Sequence, residues 1–321
     1  MLGSYHAEPA ANAMKPPFRA DQVGSLLRPA ALAAARSQFK QGALSAEALR
    51  AVEDECILEI VEKQRSLGLL SITDGELRRD YWHIDFLALL DGVTIVSMQE
   101  QNRFGGTEEQ PPMATVTGKI ACAKPIMTDA FAYLQAAVGR DAGSSHRDGG
   151  ATAKVTIPSP SMLYMRGGRN AVSKAAYPDL AEFWDDVALA YRNAIQFFAN
   201  RGCTYLQLDD VSFAYLCDPK FREACRRNGD DPDVLPRTFA AAVNAALRGR
   251  PADMTVTMHT CRGNFRSSWV AEGDYEAVAE AMFSIDVDGF FMEFDSARAG
   301  SFEPLRYLPA GKKAVLGLVW S

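Results

Sequence analysis

Residues 254–261 read Met-Thr-Val-Thr-Met-His-Thr-Cys. Apolar and β-branched residues lead up to a histidine and a cysteine, the pattern of a short buried strand that ends on chemistry. The same pattern recurs elsewhere. Cys203-Thr-Tyr-Leu-Gln-Leu runs into Asp209-Asp210, Val287 to Met292 into Glu293, and Leu69 to Thr73 into Asp74-Gly75-Glu76. Near-continuous apolar strands of this length suit a parallel sheet covered on both faces. Helical stretches separate them. Ser45 to Leu67 carries Leu49, Val52, Cys56 and Ile60 on one face, with Ser45 as N-cap and Gly68 as stop. Pro178 to Asn200 carries Leu180, Phe183, Val187, Tyr191, Ile195 and Phe198 in the same way. Further helices are expected over 219–227, 236–248, 275–283 and, briefly, 302–308.

Strand followed by helix, repeated, implies parallel strands inside a helical layer. The fold class read from this is α/β, a (β/α)8 TIM barrel. Its first strand is placed at Gln22–Leu27, and others at Lys154–Ile157 and, last, at Lys313–Val319. A dinucleotide-binding sheet is the competing architecture, but no GxGxxG follows the first strand. The rhythm breaks over about residues 92–152, where Val93–Met98 and Thr115–Ala121 read as hairpin strands around a Gly/Pro/Glu-rich loop. Thr128–Val138 reads as a helix and Gly139–Gly150 as a polar loop. The expectation is a flexible leader over 1–17, then one barrel over 18–321 with a hairpin-containing insertion after strand 2 and without its last βα unit. The 321 residues fit one such barrel, which typically needs about 250. The chain stops on what reads as a buried strand.

The composition, 48% hydrophobic and 23% charged, is that of a chain able to bury a core. A net charge of −6 argues against nucleic acid or an anionic membrane as main partner. No apolar run approaches the roughly 18 residues of a spanning helix, and no secretory h-region precedes Pro17. Six cysteines without a CxxC pair read as free thiols of a cytoplasmic protein.

His259 and Cys261 alternate on an extended segment and so face the same way. Both are good zinc ligands. Alone, the pair better describes a core histidine beside a half-buried thiol. The context decides, because a barrel gathers its strand ends on one rim, and Glu293, Asp209 and Glu76 end or follow strands there. A carboxylate after an apolar run is costly to bury unless it is paired or metal-bound. The mixed N/S/O set favours Zn2+ over Mg2+ or Ca2+. Among the other thiols, Cys203 begins its strand, Cys56 lies on a helix face and Cys122 in the insertion. Cys217, eight residues past Asp209, is on the correct side. His83, His6 and His146 have no matched partner and are given no role. No GxSxG, Walker A or HExxH motif is present.

These motifs resemble cobalamin-independent methionine synthase, and more narrowly the short single-barrel relatives of its catalytic C-terminal half. The resemblance rests on Ile72-Thr73-Asp74-Gly75-Glu76 with Arg78, Pro158-Ser159-Pro160-Ser161-Met162, Leu206-Gln207-Leu208-Asp209, His259-Thr260-Cys261, and Glu293 with Arg298-Ala299-Gly300. It covers about residues 18–319. It implies zinc held by His259, Cys261 and Glu293, with a fourth, cysteine ligand in a unit beyond Ser321. It also implies that Glu76 and Asp209 hold the amino group of homocysteine and that the Ser159/Ser161 turn lies near the acceptor. The implied activity is methyl transfer to homocysteine, giving methionine, from a methylated folate or a corrinoid. Alternatives are alkyl transfer to another thiol such as coenzyme M, or a zinc-free barrel akin to uroporphyrinogen decarboxylase. The implied partners are these small molecules, with homo-oligomerisation open.

Overall fold

The computed structural model describes residues 15–96, 112–139, 150–264 and 269–318. Helix α1 (Ala30–Lys40) follows Pro29, and α2 (Ala46–Ser66) follows Ser45, whose Oγ accepts the Ala48 amide at 3.2 Å. Strand β1 (Ser71–Ile72), the short helix α3 (Ile84–Leu87) and the hairpin strands β2 (Asp91–Val96) and β3 (Met113–Ala121) come next. Helix α4 (Thr128–Gly139) leads to β4 (Thr152–Ala153) and β5 (Val155–Pro158). From there β and α alternate: α5 (Leu180–Asn200), β6 (Tyr205–Asp210), α6 (Ser212–Tyr215), α7 (Pro219–Arg227), α8 (Leu235–Leu247), β7 (Thr255–Thr260), α9 (Glu276–Phe283), β8 (Gly289–Glu293) and β9 (Lys313–Gly317).

The fold is mixed α/β with parallel sheets. Strands β5-β6-β7-β8-β9 form a five-stranded sheet in chain order, every pair parallel, and β1 pairs in parallel with β4. Among the described residues only β2 and β3 are antiparallel, as the hairpin reading expected. Most of the loop assigned to 102–112 and of that assigned to 139–150 lies outside the described residues, as do His6 and His146.

Two expectations are corrected, and one helix was not foreseen. Gln22–Leu27 is not a strand. Gly24 has φ of 109°, and the segment is tied to its neighbours mainly by side chains rather than by a ladder. Gln22 Nε2 donates to Gln64 Oε1 at 2.9 Å and Gln207 Nε2 donates to the Val23 carbonyl at 2.7 Å, while the Leu26 amide donates to the Gly75 carbonyl at 3.1 Å. Helix α1 was not anticipated, because it buries only Leu32 and Ala35, too few large apolar side chains to print a helical period. Strand β9 is half-exposed rather than buried, since among the described residues it pairs with β8 alone. The short helix expected at 302–308 is a 3-10 helix, Glu303–Tyr307.

The core lies between the sheet and α5, α8 and α9. Phe183, Val187, Tyr191, Ile195 and Phe198 are all closed to solvent on the face of α5 that the sequence marked. Each such side chain contributes about 1.5–3 kcal/mol on burial.

Alternation places one column of residues on one face of the five-stranded sheet: Lys154 and Thr156, Tyr205, Gln207 and Asp209, Thr257 and His259, Phe291 and Glu293. At the strand-start end of the column, Lys154 is wholly buried. Its Nζ lies 3.2 Å from Asp21 Oδ1, donates to the Gln22 carbonyl at 2.6 Å, and sits 4.8 Å and 4.1 Å from the ring centroids of Tyr205 and Phe291. Burial lowers its pKa to about 8 despite Asp21. The chemistry-bearing residues stand at the opposite, strand-end side.

Candidate metal centre

Strands β6, β7 and β8 are neighbours, and their register sets Asp209 beside His259 and His259 beside Phe291, two residues before Glu293. Cys261 follows the last residue of β7, and its amide still donates to the Asp210 carbonyl at 2.7 Å, so the extended geometry continues. One ligand atom each from His259, Cys261 and Glu293 therefore lie within 4.8 Å of one another. Three of the expected donors thus converge. Cys217 is not among them; it is buried, with Sγ donating to the Phe213 carbonyl at 3.3 Å. Cys56, Cys122 and Cys203 are buried elsewhere.

The second residue around each ligand is also fixed. His259 Nδ1 donates to Asp209 Oδ1 at 3.2 Å, which leaves Nε2 facing Glu293 Oε1 at 3.7 Å. Asp209 Oδ1 is itself held by Gln207 Nε2 at 2.6 Å. Glu293 accepts from Asn264 Nδ2 on Oε1 at 2.7 Å and from Arg298 on Oε2 at 3.2 Å, and Arg298 also donates to Asn264 Oδ1 at 3.1 Å. Such partners orient ligands and are as much part of a metal site as the donors.

The charges fit a cation. Burial opposes a charged His259, but hydrogen bonds to Asp209 and Glu293 outweigh it and raise the pKa to about 9. Burial and then the Glu293 charge push the Cys261 thiol up to about 12. Imidazole, thiolate and carboxylate together suit zinc.

Glu76 follows β1 in a turn where Gly75 and Glu76 both adopt left-handed backbone, φ 65° and 58°. For a glutamate this is an uncommon conformation held by its surroundings. Asp74 Oδ1 accepts the Glu76 amide at 2.9 Å, Thr156 Oγ1 donates to Glu76 Oε1 at 2.7 Å, and Arg79 reaches the same oxygen at 3.4 Å. Oε2 is buried with no hydrogen-bond partner among the described residues. Burial raises the Glu76 pKa, Arg79 opposes, and the nearby Asp209 charge adds to the rise. Arg78, the arginine singled out in the sequence, faces away and pairs with Glu53 and Asp54. Ser159 and Ser161 are fully buried, and both hydroxyls donate to Asp210 Oδ2, whose Oδ1 accepts the Phe213 amide at 3.0 Å. Their side chains are thus engaged with Asp210, which points to the sheet's opposite face.

Residues 18–320 match the family described as cobalamin-independent synthase, catalytic domain. The chain belongs to that family. It is 45% identical over 310 residues to the uncharacterized protein YxjG of Bacillus subtilis, covering 96% of this chain and 79% of that one. A solved structure of a putative vitamin-B12 independent methionine synthase from Listeria monocytogenes superimposes with a TM-score of 0.73 at 39% identity, covering 94% of this chain and 80% of that one. A B12-independent methionine synthase from Shewanella, in complex with selenomethionine, shares the fold at a TM-score of 0.59 and 17% identity over 85% of this chain and 72% of that one. The 5-methyltetrahydropteroyltriglutamate–homocysteine methyltransferase of Corynebacterium efficiens is 24% identical over 250 residues, which is 78% of this chain but 30% of that enzyme.

The sequence reading missed Asn264, Gln207, Thr156 and Arg79, all of which touch a candidate site residue. Asn264 could have been suspected from its place three residues past Cys261. Gln207 and Arg79 stand only two and three residues from Asp209 and Glu76, and Thr156 alone meets its partner, Glu76, from a distant strand.

Proposed function

We propose that the chain is a zinc-dependent thiol methyltransferase that transfers a methyl group from a folate-type or corrinoid donor to homocysteine, forming methionine. The observation that carries this reading is the convergence of the His259, Cys261 and Glu293 donor atoms within 4.8 Å, beside two acids of a different role. Among the described residues no helix is long and apolar enough to cross a membrane, and the reading is of a cytoplasmic enzyme. We read the parallel strands as staves of a (β/α)8 barrel over 18–321, with the β2–β3 hairpin in an insertion over about 92–152.

His259, Cys261 and Glu293 would hold the zinc, with Asp209, Asn264 and Arg298 fixing their orientation. Zinc bound there would convert a thiol, mostly protonated near neutral pH, into a thiolate ready to attack a methyl carbon. Glu76 would bind the acceptor's ammonium through Oε2, which lacks a protein partner, and Asp209 adds a second negative charge. The Ser159/Ser161 turn, locked on Asp210, would offer its backbone to the acceptor. Two acids make poor company for the sulfonate of coenzyme M, so an amino-acid thiol is favoured over that alternative.

The test is zinc content and methyl transfer on the full-length protein. Stoichiometric zinc that is lost in His259→Ala, and transfer to homocysteine over coenzyme M, are expected. A protein that binds no zinc and whose thiol affinity is indifferent to His259→Ala would instead support a zinc-free barrel.

A further inference from the structure

The Glu293 carboxylate is held by Asn264 and Arg298, but its backbone has a separate support. The β7–β8 register ends at Thr260 and Met292, one residue short of Glu293. On the β9 side the ladder continues, since the Phe294 amide donates to the Gly317 carbonyl at 2.9 Å. Both backbone groups of Glu293 instead reach one atom. The Tyr275 hydroxyl accepts the Glu293 amide at 3.3 Å and donates to the Glu293 carbonyl at 3.5 Å. A phenol has one proton to give and lone pairs to accept with, so it can serve both. It does for Glu293 what a further rung of the ladder would do.

Tyr275 is closed to solvent and opens α9. The segment before it is strapped down at three places. The Val270 and Ala271 amides donate to the Arg262 carbonyl at 3.2 and 3.1 Å, the Glu272 amide to Asp218 Oδ2 at 3.2 Å, and the Gly273 amide to the Arg298 carbonyl at 2.8 Å. Gly273 runs so close to its neighbour that a Cβ there would lie 2.4 Å from the Cys217 carbonyl oxygen. The Tyr275 ring also carries a cation, with Arg262 Cζ 4.4 Å from its centroid. Arg262 is wholly buried, and none of its side-chain nitrogens has a hydrogen-bond partner among the described residues. A buried ion is costly, and the face of the ring offsets part of that cost. Arg262 directly follows Cys261, while the ring beneath it is bonded to Glu293.

We propose that Tyr275 is the positioning residue of Glu293, fixing its backbone through the hydroxyl and being fixed in turn by the Arg262 guanidinium. The pair couples the end of β7, at Cys261, to the end of β8, at Glu293. A ligand atom keeps its place only if its backbone is held as firmly as its side chain. Without the hydroxyl, Glu293 is free to move relative to His259 Nε2, which stands 3.7 Å from Oε1. The consequence for the metal rests on the zinc reading, whereas the support of Glu293 does not.

The experiment compares the full-length wild type with Tyr275→Phe, which removes one oxygen and keeps the ring under Arg262. In the metal-free proteins, amide hydrogen exchange is read at Glu293. Exchange should quicken roughly tenfold in Tyr275→Phe, the scale of one hydrogen bond. Zinc affinity is then measured by chelator competition, and cobalt(II) is bound in its place as a visible probe. Tyr275→Phe should weaken zinc by roughly 10–100-fold and shift the cobalt ligand-field bands. A loss of packing alone would lower stability and leave those bands where they are. Arg262→Gln should move the same three readouts in the same direction, and it carries the test if Tyr275→Phe does not fold. The inference is overturned if Glu293 exchange is unchanged in Tyr275→Phe, or if Arg262→Gln leaves all three readouts unmoved. It is also overturned if the wild type binds zinc and Tyr275→Phe keeps the same affinity and the same cobalt bands. If Glu293 exchange quickens while the wild type binds neither metal, the support of Glu293 stands and the zinc reading alone falls.

Discussion

Replacing Lys154 by methionine should remove a pH dependence of stability that the wild type carries. Lys154 is buried between Tyr205 and Phe291 with Asp21 as its ion-pair partner, and Asp209 is a further charge acting on it. Its pKa falls from 10.5 in the free side chain to about 8 in the fold. Between those values the unfolded chain holds a proton that the folded chain has released, so stability rises with pH across this window and is flat below it. For a single group with these two values, the gain from pH 7 to pH 9.5 is about 2 kcal/mol. Buried thiols such as Cys203 and Cys217, both pushed up to about 12, work in the opposite sense above pH 9. They are common to both proteins and cancel in the difference. The assay is urea unfolding of wild type and Lys154→Met at pH 7, 8.5 and 9.5. The difference in unfolding free energy should move by about 2 kcal/mol in favour of the wild type as pH rises. A difference that stays constant would refute the claim that Lys154 is held charged against its burial at neutral pH.

Three further outcomes are expected. Asn264→Ala should weaken zinc by roughly 10–100-fold, measured by competition with a chromophoric chelator, because Glu293 loses the partner on Oε1; unchanged affinity would mean that Arg298 alone orients it. Asp210→Ala should cost about 3–5 kcal/mol in chemical denaturation, since the Ser159 and Ser161 hydroxyls and the Phe213 amide lose their shared acceptor; a loss under 1 kcal/mol would dissolve that network's role (about the scale of one ordinary hydrogen bond). Binding of an amino thiol should strengthen as pH rises through the Glu76 titration, which burial displaces upward, and Glu76→Gln should flatten that profile in calorimetric titrations.

Much of this arrangement is legible in the sequence because strands that end on a polar residue betray their own direction. His259, Cys261 and Glu293 are brought together by register between adjacent parallel strands, and each was already visible as the polar terminus of an apolar run. What was hidden follows from two causes. Gln22–Leu27 looks like a strand by composition, but Gly24 takes a backbone that no ladder accommodates, and composition does not report φ. Thr156, which holds Glu76, is an ordinary polar position until the tertiary structure brings the two together. Arg78 and Arg79 are adjacent and chemically equal, yet one anchors α2 and the other Glu76, and periodicity gives no ground for choosing between them.

The left-handed turn at Gly75 ties Glu76, one of the acids of the candidate site, to the outer layer of the protein. A Cβ at Gly75 would come within 2.7 Å of Ile60 Cδ1 and 3.1 Å of Leu26 Cβ, so the turn is pressed against α2 on one side while it aims Glu76 inward on the other. Drift in the packing of α2 is therefore not silent. On the proposed reading, a bulkier or smaller residue at Ile60 would tilt the turn and shift the carboxylate that Glu76 offers to an acceptor. Selection for a new thiol could accumulate in the helical shell while every residue that touches the ligand stays the same.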